Sequence, residues 1–276
     1  MRPFPPSSDE HLRLHGHGAT SAPPLRELRG PQVACRNCGL FALCLPVGVG
    51  AADLDLLERV IKRRRMLARG ERVFRRGERL HSVFAVKSGS VKTTLSVGRL
   101  DREGEQVTGF HFPGELLGLD AVGAGRYQYD ACALEAASLC EVPFDDLEQL
   151  GMLVPSLQRQ MLRVMSGQIG HDLLQHVLHC RLSAEQRLAG FLVSLSARFE
   201  QRGFSGSALR LPMPREDIGN YLGLAKETVC RLFTAMQQRQ LLTIARKQVV
   251  IHDRRALETI AGLDAGDFVA PATRRS

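Results

Sequence analysis

The sequence predicts an α+β fold: an N-terminal β-roll of the jelly-roll type, a long helix and a C-terminal winged helix-turn-helix. Three observations predict it. Between about residue 66 and residue 142, short β-rich runs alternate with turn glycines. From Leu157 to Val177, apolar residues recur at three- and four-residue spacing, which is the period of an amphipathic helix. Near the C-terminus, two helical segments meet at a glycine turn and are followed by a hairpin pattern.

The length of 276 residues is enough for two packed domains and a connecting element, because one domain usually holds about 100 to 150 residues. The Pro, Ser, Gly and His content of the N-terminus leaves no face that could pack, which indicates a flexible arm. We expect five regions in chain order: a flexible arm (1–34), a cysteine loop and β-roll sensory domain (35–150), a dimerisation helix (151–180), a winged helix-turn-helix DNA-binding domain (181–262) and a flexible tail (263–276).

Composition and charge narrow the class of protein. A hydrophobic content of 44% with 24% charged residues is ordinary for a soluble globular chain. No apolar run approaches the roughly 20 residues that span a bilayer, and the N-terminus lacks a secretory pattern, so we expect a cytoplasmic protein with no membrane partner. The net charge of +8 favours a polyanionic partner. Seven cysteines in such a chain favour metal binding over disulfides.

The long helix carries small residues at its middle, where Gly167 and Gly170 each lower helix propensity by up to about 1 kcal/mol. Such a cost is understandable where a second backbone approaches closely. We therefore expect a homodimer seam around Met161, Met165 and Ile169. The alternative is a helix that packs only against its own β-roll.

The segment from Arg215 to Leu232 has the spacing of a helix-turn-helix. Gly219 is small where two helices would cross, and Gly223 can adopt the positive φ of a sharp turn. An ordinary helical hairpin with solvated charges is the alternative, but the small residues and the inner apolar positions coincide. The second helix would therefore present four side chains to the major groove of double-stranded DNA: Lys226, Glu227, Cys230 and Arg231.

Three cysteines, Cys35, Cys38 and Cys44, follow one another with Cys-x2-Cys-x5-Cys spacing between the arm and the folded domain. An iron–sulfur cubane needs four thiolates, and the candidates for the fourth are Cys132 and Cys140. A four-cysteine zinc site and plain buried thiols are the alternatives. The spacing by itself does not decide between them.

From Cys35 to Gly262 the chain resembles the FNR branch of the CRP/FNR transcription regulators. The resemblance is carried, in order, by the segments CRNCGLFALCLP, TGFHFPGELLGLDA, LCEVPFDDL, QMLRVMSGQI, RGFS and MPREDIGNYLGLAKETVCRL. It implies a cyclic-nucleotide-binding-like jelly roll and an oxygen-responsive homodimer that acts with RNA polymerase at palindromic TTGAT-type sites. It also implies a [4Fe–4S] cluster with four ligands: Cys35, Cys38, Cys44 and Cys140.

The chain departs from its relatives at three places. Relatives that bind cyclic nucleotide use an Arg-Ser pair, and those positions correspond to Asp130 and Ala131, so we expect no cyclic nucleotide although Gly114-Glu115 is retained. Cys230 stands where the FNR branch has serine in its E-x-x-S-R pattern, which leaves the base read at that position open. Gly39 stands where the family usually has a residue that tunes the stability of the cluster toward oxygen.

The resemblance also places Asp172 at an acidic position that faces its mate across the dimer seam. Two carboxylates about 4 Å apart repel by roughly 4 kcal/mol at an effective dielectric near 20, which would hold the cluster-free protein monomeric. A solvated aspartate on an exposed face is the alternative for this residue.

Two other functions remain to be weighed. One is a cluster-free regulator of the same fold that responds to a small ligand or to thiol oxidation. The other is a metalloenzyme that uses the cysteine loop. Because no acid–base or nucleophile constellation accompanies the thiols, we do not expect an enzyme.

Overall fold

The computed structural model describes residues 35, 38–40, 44, 49–61, 63–97 and 104–262, without the side chains of residues 51, 52, 63, 97 and 171–181. The predicted arm (1–34) and tail (263–276) lie outside the described residues. Among the described residues, no helix combines the length and the apolar character needed to cross a lipid bilayer.

The N-terminal domain is a β-roll made of two four-stranded antiparallel sheets. One sheet has the strand order β1-β8-β3-β6 and the other has the order β2-β7-β4-β5. The strands are β1 Arg63–Leu67, β2 Arg72–Phe74, β3 Ser82–Ser88, β4 Val91–Val97, β5 Gly104–His111, β6 Leu116–Leu117, β7 Asp130–Ala133 and β8 Ala137–Pro143.

The interior of the β-roll is filled by apolar side chains from both sheets. Phe84 and Leu139 come from one sheet and Val91 from the other, and all three are fully buried. Phe74 stacks on Tyr127 with ring centroids 3.9 Å apart. Side chains from the two sheets thus meet in one shared core.

Helices flank the β-roll and build the C-terminal domain. The element order after β8 is α2 Phe144–Leu153, α3 Pro155–Arg181, α4 Ala184–Gln201, β9 Ala208–Arg210, α5 Arg215–Leu222, α6 Lys226–Gln238, β10 Leu242–Ala245, β11 Gln248–Ile251 and α7 Arg254–Ala261, while α1 Ala51–Val60 precedes β1. Strands β10, β11 and β9 form a three-stranded antiparallel sheet, the wing. The predicted α+β fold class is confirmed.

Helix α3 begins at Pro155, in agreement with the apolar period that starts at Leu157, whereas residue 151, the expected bound of the dimerisation-helix region, lies within α2. Residues up to Leu153 belong to α2, and Val154 between the two helices has a non-helical backbone, with φ −121° and ψ 88°. Proline disfavours the helical conformation in the residue before it, yet fits the first position of a helix. Pro155 therefore ends one helix and starts the next.

Helix α4 begins with a capping box. The Ser183 side chain accepts a hydrogen bond from the Gln186 backbone N–H, and the Gln186 side chain accepts one from the Ser183 N–H. These bonds satisfy two donors that a helix start leaves without partners. They place the start of the DNA-binding domain directly after the long helix.

Candidate DNA-binding surface and cysteine site

Helices α5 and α6 cross at Gly219 and turn at Gly223. A Cβ atom at Gly219 would lie 2.6 Å from the Leu224 carbonyl oxygen, closer than real Cβ contacts come, so the crossing requires glycine. Gly223 has φ 66°, the left-handed conformation that glycine adopts without strain. Both glycines have the geometry that the sequence pattern predicted for a helix-turn-helix.

One face of α6 is anchored in the domain core and the other is open. Val229, Phe233 and Met236 are buried, and the Arg215 guanidinium lies 3.7 Å above the centre of the Phe233 ring. The four side chains predicted to face DNA are all exposed: Lys226, Glu227, Cys230 and Arg231.

The tip of the wing carries basic side chains that the sequence analysis did not select. Arg246 and Lys247 lie in the turn between β10 and β11, both are exposed, and Arg246 has a positive φ of 56°. The available signal was the basic pair between two apolar β-runs. Exposed cations at such a tip suit phosphate contacts, which position a protein on the duplex without reading bases.

The cysteine site lies where the loop meets the outer face of the β1-β8-β3-β6 sheet. Cys35 is only 8% exposed and belongs to an apolar cluster that Leu57 of α1, Leu147 of α2 and Leu157 of α3 share. The partly buried side chains that pack against this cluster include Cys44, Cys140 and Met161. The cluster, called the cysteine core below, joins the loop to the N-terminal end of α3.

The thiols of the cysteine core lie close enough to influence one another's ionisation. Burial, together with the charges of Cys140, Glu58 and Cys38, raises the pKa of the Cys35 thiol to about 12. Burial also raises the pKa of Cys140, with a further increase from Cys38 that Lys87 and Arg64 oppose. Several thiolates could coexist there only if a cation neutralised them.

The four predicted ligands are all sulfur donors, the kind that iron–sulfur clusters use. Within the described ranges, no three His, Cys, Asp or Glu side chains form a ready-made site for a metal ion. A cubane binds each thiolate to a different iron atom, so its ligands are spread more widely than those of one ion. Three of the predicted ligands, Cys35, Cys44 and Cys140, share one apolar cluster, and Cys38 lies near enough to raise the pKa of Cys35 and Cys140, so these donors could hold an iron–sulfur cubane.

Cys132, the rejected fourth ligand, lies in the other sheet. It is paired across the strands with Arg72 on β2 and Lys92 on β4, and its Sγ is 3.8 Å from the Ala133 carbonyl oxygen. Burial raises the pKa of this thiol as well.

The positions that bind cyclic nucleotide in relatives are engaged within the protein. Asp130 forms a salt bridge of 3.0 Å with Arg72 and also accepts a hydrogen bond from the Arg76 backbone N–H. The Glu115 carboxylate lies between Arg198 and Arg202 of α4. Both carboxylates are thus paired with arginines of the protein, and neither arrangement would attract a phosphate.

The predicted seam residues differ in exposure. Ile169 is 61% exposed, Met165 is half-buried, and Met161 packs partly on the cysteine core of its own chain. Leu162, which the sequence analysis did not select, is 60% exposed on the same helix. Asp172 lies within α3, but its side chain is outside the described part of the structure.

A β-roll that leads through a long helix to an exposed recognition helix defines a DNA-binding transcription regulator. Two family models match the chain: the Crp-like helix-turn-helix domain at residues 186–260 and the cyclic nucleotide-binding domain at residues 64–152.

Similar proteins agree with this class. The transcriptional activator protein FnrA of Stutzerimonas stutzeri is 47% identical over 84% of this chain and 93% of its own length. The fumarate and nitrate reduction regulatory protein of Escherichia coli K12 is 40% identical over 84% of this chain and 92% of its own. The solved structure of FixK2 from Bradyrhizobium japonicum, 26% identical, covers 72% of this chain and 96% of its own with a TM-score of 0.66.

The chain belongs to the FNR branch of the CRP/FNR family of transcription regulators. It is a DNA-binding regulator and not an enzyme. The family predicted from the sequence is therefore confirmed.

Proposed function

We propose that this regulator responds to oxygen through a [4Fe–4S] cluster held by Cys35, Cys38, Cys44 and Cys140, and that it binds palindromic TTGAT-type DNA as a homodimer under low oxygen. The observation that carries the proposal is the cysteine core. In it, Cys35, Cys44 and Cys140 share one apolar cluster with Leu157 and Met161 of α3.

The cysteine core offers a direct route from the thiols to the dimer seam. When bound, the cluster would supply an oxygen-labile iron centre for the four thiolates. The three loop cysteines and Cys140 of β8 would then be ligands of one group, which would tie the loop to the β-roll. Met161 touches this core, and the exposed Leu162 and Ile169 follow on the same helix. Ordering the loop would therefore favour the α3 orientation in which the exposed apolar side chains meet their mates.

Dimerisation controls DNA affinity because a dimer reads two half-sites at once. In the proposed complex Arg231 bonds bidentately to guanine and Glu227 accepts a hydrogen bond from cytosine, with Lys226 and Cys230 as further contacts. The similar proteins are named transcriptional activators, so RNA polymerase is the proposed partner in the cytoplasm. Because Asp130 and Glu115 are engaged in ion pairs, we propose that cyclic nucleotide plays no part.

The test is purification of the full chain without air, followed by an absorption spectrum, iron and sulfide analysis, and sedimentation on operator DNA. We expect a coloured protein with four irons per chain that dimerises, and a colourless monomer after exposure to air. Protein that is colourless and iron-free, yet still binds its operator as a dimer, would favour a cluster-free regulator that responds to a small ligand or to thiol oxidation.

A further inference from the structure

The Glu115 carboxylate connects the β-roll to the DNA-binding domain. Arg198 of α4 grips it with two hydrogen bonds, from Nε to Oε1 at 3.0 Å and from Nη2 to Oε2 at 2.7 Å. Arg202, one helical turn later, pairs with Oε1. The Phe112 backbone N–H donates to Oε2 at 3.0 Å, so the carboxylate is also fixed to its own turn. Two arginines of one domain thus converge on one anion of the other.

Both arginines are also bonded to the backbone of the β-roll. Arg198 Nη2 donates to the Phe110 carbonyl oxygen at 2.5 Å, and Arg202 Nε donates to the Pro113 carbonyl oxygen at 2.6 Å. Their side chains are only 16% and 7% exposed, and that of Glu115 is 20% exposed. Water cannot readily replace a lost partner in such a place, so removing one charge leaves the others uncompensated. This cluster of three side chains is called the interdomain joint below.

The first helix of the helix-turn-helix is attached to the β-roll as well. The Asn220 side chain donates to the Glu105 carbonyl oxygen at 2.6 Å and accepts from the Val107 N–H at 2.5 Å. Lys92 of β4 forms a salt bridge of 2.9 Å with Asp217 of α5. These bonds act on α5, whereas the interdomain joint acts on α4, so two different helices of the domain are attached to the β-roll.

This docking leaves the recognition surface open, because the outward residues of α6 remain exposed. Two recognition helices can enter successive major grooves only at a fixed separation and orientation, about one helical turn of DNA apart. A domain that is held firmly on its β-roll presents its helix in one orientation. A loosely held domain would sample many orientations and would tolerate several separations.

We propose that Glu115, acting through Arg198 and Arg202, is a positioning residue that fixes the DNA-binding domain on the β-roll and thereby sets the half-site spacing that the dimer accepts. The inference rests on the proposed binding of paired half-sites. In this chain the glutamate of the Gly-Glu pair orients a domain through arginines of α4.

The test compares wild type with Glu115→Gln, which keeps the shape of the side chain and removes its charge. Glu135→Gln is the matched control, because the 2.8 Å pair of Glu135 with Arg210 also joins the two domains, but Arg210 is 62% exposed and such a pair contributes little. Each protein is titrated with its palindromic operator and with operators in which one base pair is inserted between the half-sites or deleted there. Sedimentation and cluster content are measured in parallel.

We expect Glu115→Gln to bind the natural operator at least about tenfold more weakly, since it breaks a buried pair, and to lose most of the wild-type preference for the natural spacing. Glu135→Gln should stay within about twofold of wild type and keep the spacing preference. Arg198→Lys keeps the charge but loses the bidentate hydrogen bonding to Glu115. It should therefore weaken the spacing preference, but less than Glu115→Gln does.

Glu115→Gln and Arg198→Lys proteins that both keep the wild-type spacing preference would overturn the proposal, whatever their affinity. Failure of the proposed function looks different. In that case the wild type itself would show no cluster or no preference for paired half-sites, before any variant is compared.

Discussion

Cys132 and Cys140 lie in opposite sheets of the β-roll, Cys132 across from Lys92 on β4 and Cys140 across from Arg64 on β1. Only Cys140 packs against the apolar cluster that contains Cys35. Two thiols of similar burial and close in sequence therefore have different surroundings, and this difference supports the assignment of the fourth ligand.

Replacing Cys140 by Ala is expected to abolish cluster assembly and anaerobic dimerisation, because a cubane cannot bind with one thiolate missing. Cys132→Ala is the matched control and should assemble the cluster like wild type. The measurements are iron content and sedimentation of protein prepared without air. An inactive Cys132 variant beside an active Cys140 variant would show that the fourth ligand is misassigned.

Replacing Asp172 by Ala is expected to give a dimer that binds DNA in air. Removing two facing carboxylates would relieve a repulsion of roughly 4 kcal/mol, which corresponds to a change on the order of a thousandfold in the dimerisation constant. Sedimentation of the protein in air measures the dimerisation constant. Asp145→Ala, which removes an exposed carboxylate from α2, should leave the monomer unchanged. If Asp172→Ala also stays monomeric, the residue plays no part in the switch.

Replacing Arg231 by Ala is expected to weaken operator binding by about 1–3 kcal/mol and to relax specificity at one base pair. The reason is that a bidentate arginine reads guanine, whereas a basic residue on the wing contacts only phosphate. Lys247→Ala should therefore weaken binding to all sequences alike and reduce its salt dependence. Binding to operators with each base pair changed in turn separates the two effects; a uniform loss in Arg231→Ala would show that this side chain reads no base.

We expect the interdomain joint to lose its stabilising effect in acid, when Glu115 is protonated. The neighbouring arginines hold the pKa of Glu115 at about 2, against an ordinary value of 4.5, although burial acts in the opposite direction. A lowered folded-state pKa means that the stabilisation is complete above about pH 4.5 and is lost as the pH falls toward about 2. The difference between these two pKa values corresponds to about 3 kcal/mol of folding stability.

The free energy of unfolding, measured by denaturant titration at a series of pH values, tests this assignment. Glu115→Gln should be less stable than wild type near neutral pH and should lose less stability on acidification, because its side chain has no proton to gain. Glu135→Gln should follow the wild-type curve. Parallel curves for wild type and Glu115→Gln would mean that another group controls the acid transition.

The helix-turn-helix could be predicted from the sequence because its determinants are local. Gly219 must be small because it meets the Leu224 backbone a few residues away, and Gly223 must take a positive φ at the adjoining turn. Such requirements appear as residue types at fixed spacing, so a pattern is enough to find them.

The interdomain joint could not be predicted in this way. Glu115 and Arg198 are 83 residues apart in the chain, and the glutamate stands in a Gly-Glu pair whose family association is with a ligand. The cation that pairs with Glu115 is determined by how α4 packs over the β-roll. This packing cannot be inferred from the spacing of nearby residues. The apolar period of α3 was recognised from Leu157, but the expected region bound of 151 falls inside α2, because apolar residues continue across Val154 and only Pro155 marks the boundary.

The engagement of Glu115 also constrains how such a chain could acquire a new signal during evolution. A descendant that replaced Asp130 by arginine would gain a cation for a cyclic phosphate, but its glutamate would still be committed to α4. To release that glutamate for a bound ligand, the chain would need another contact that holds its DNA-binding domain on the β-roll. On the proposed role of Glu115, a change to nucleotide sensing would therefore need coordinated substitutions in both domains.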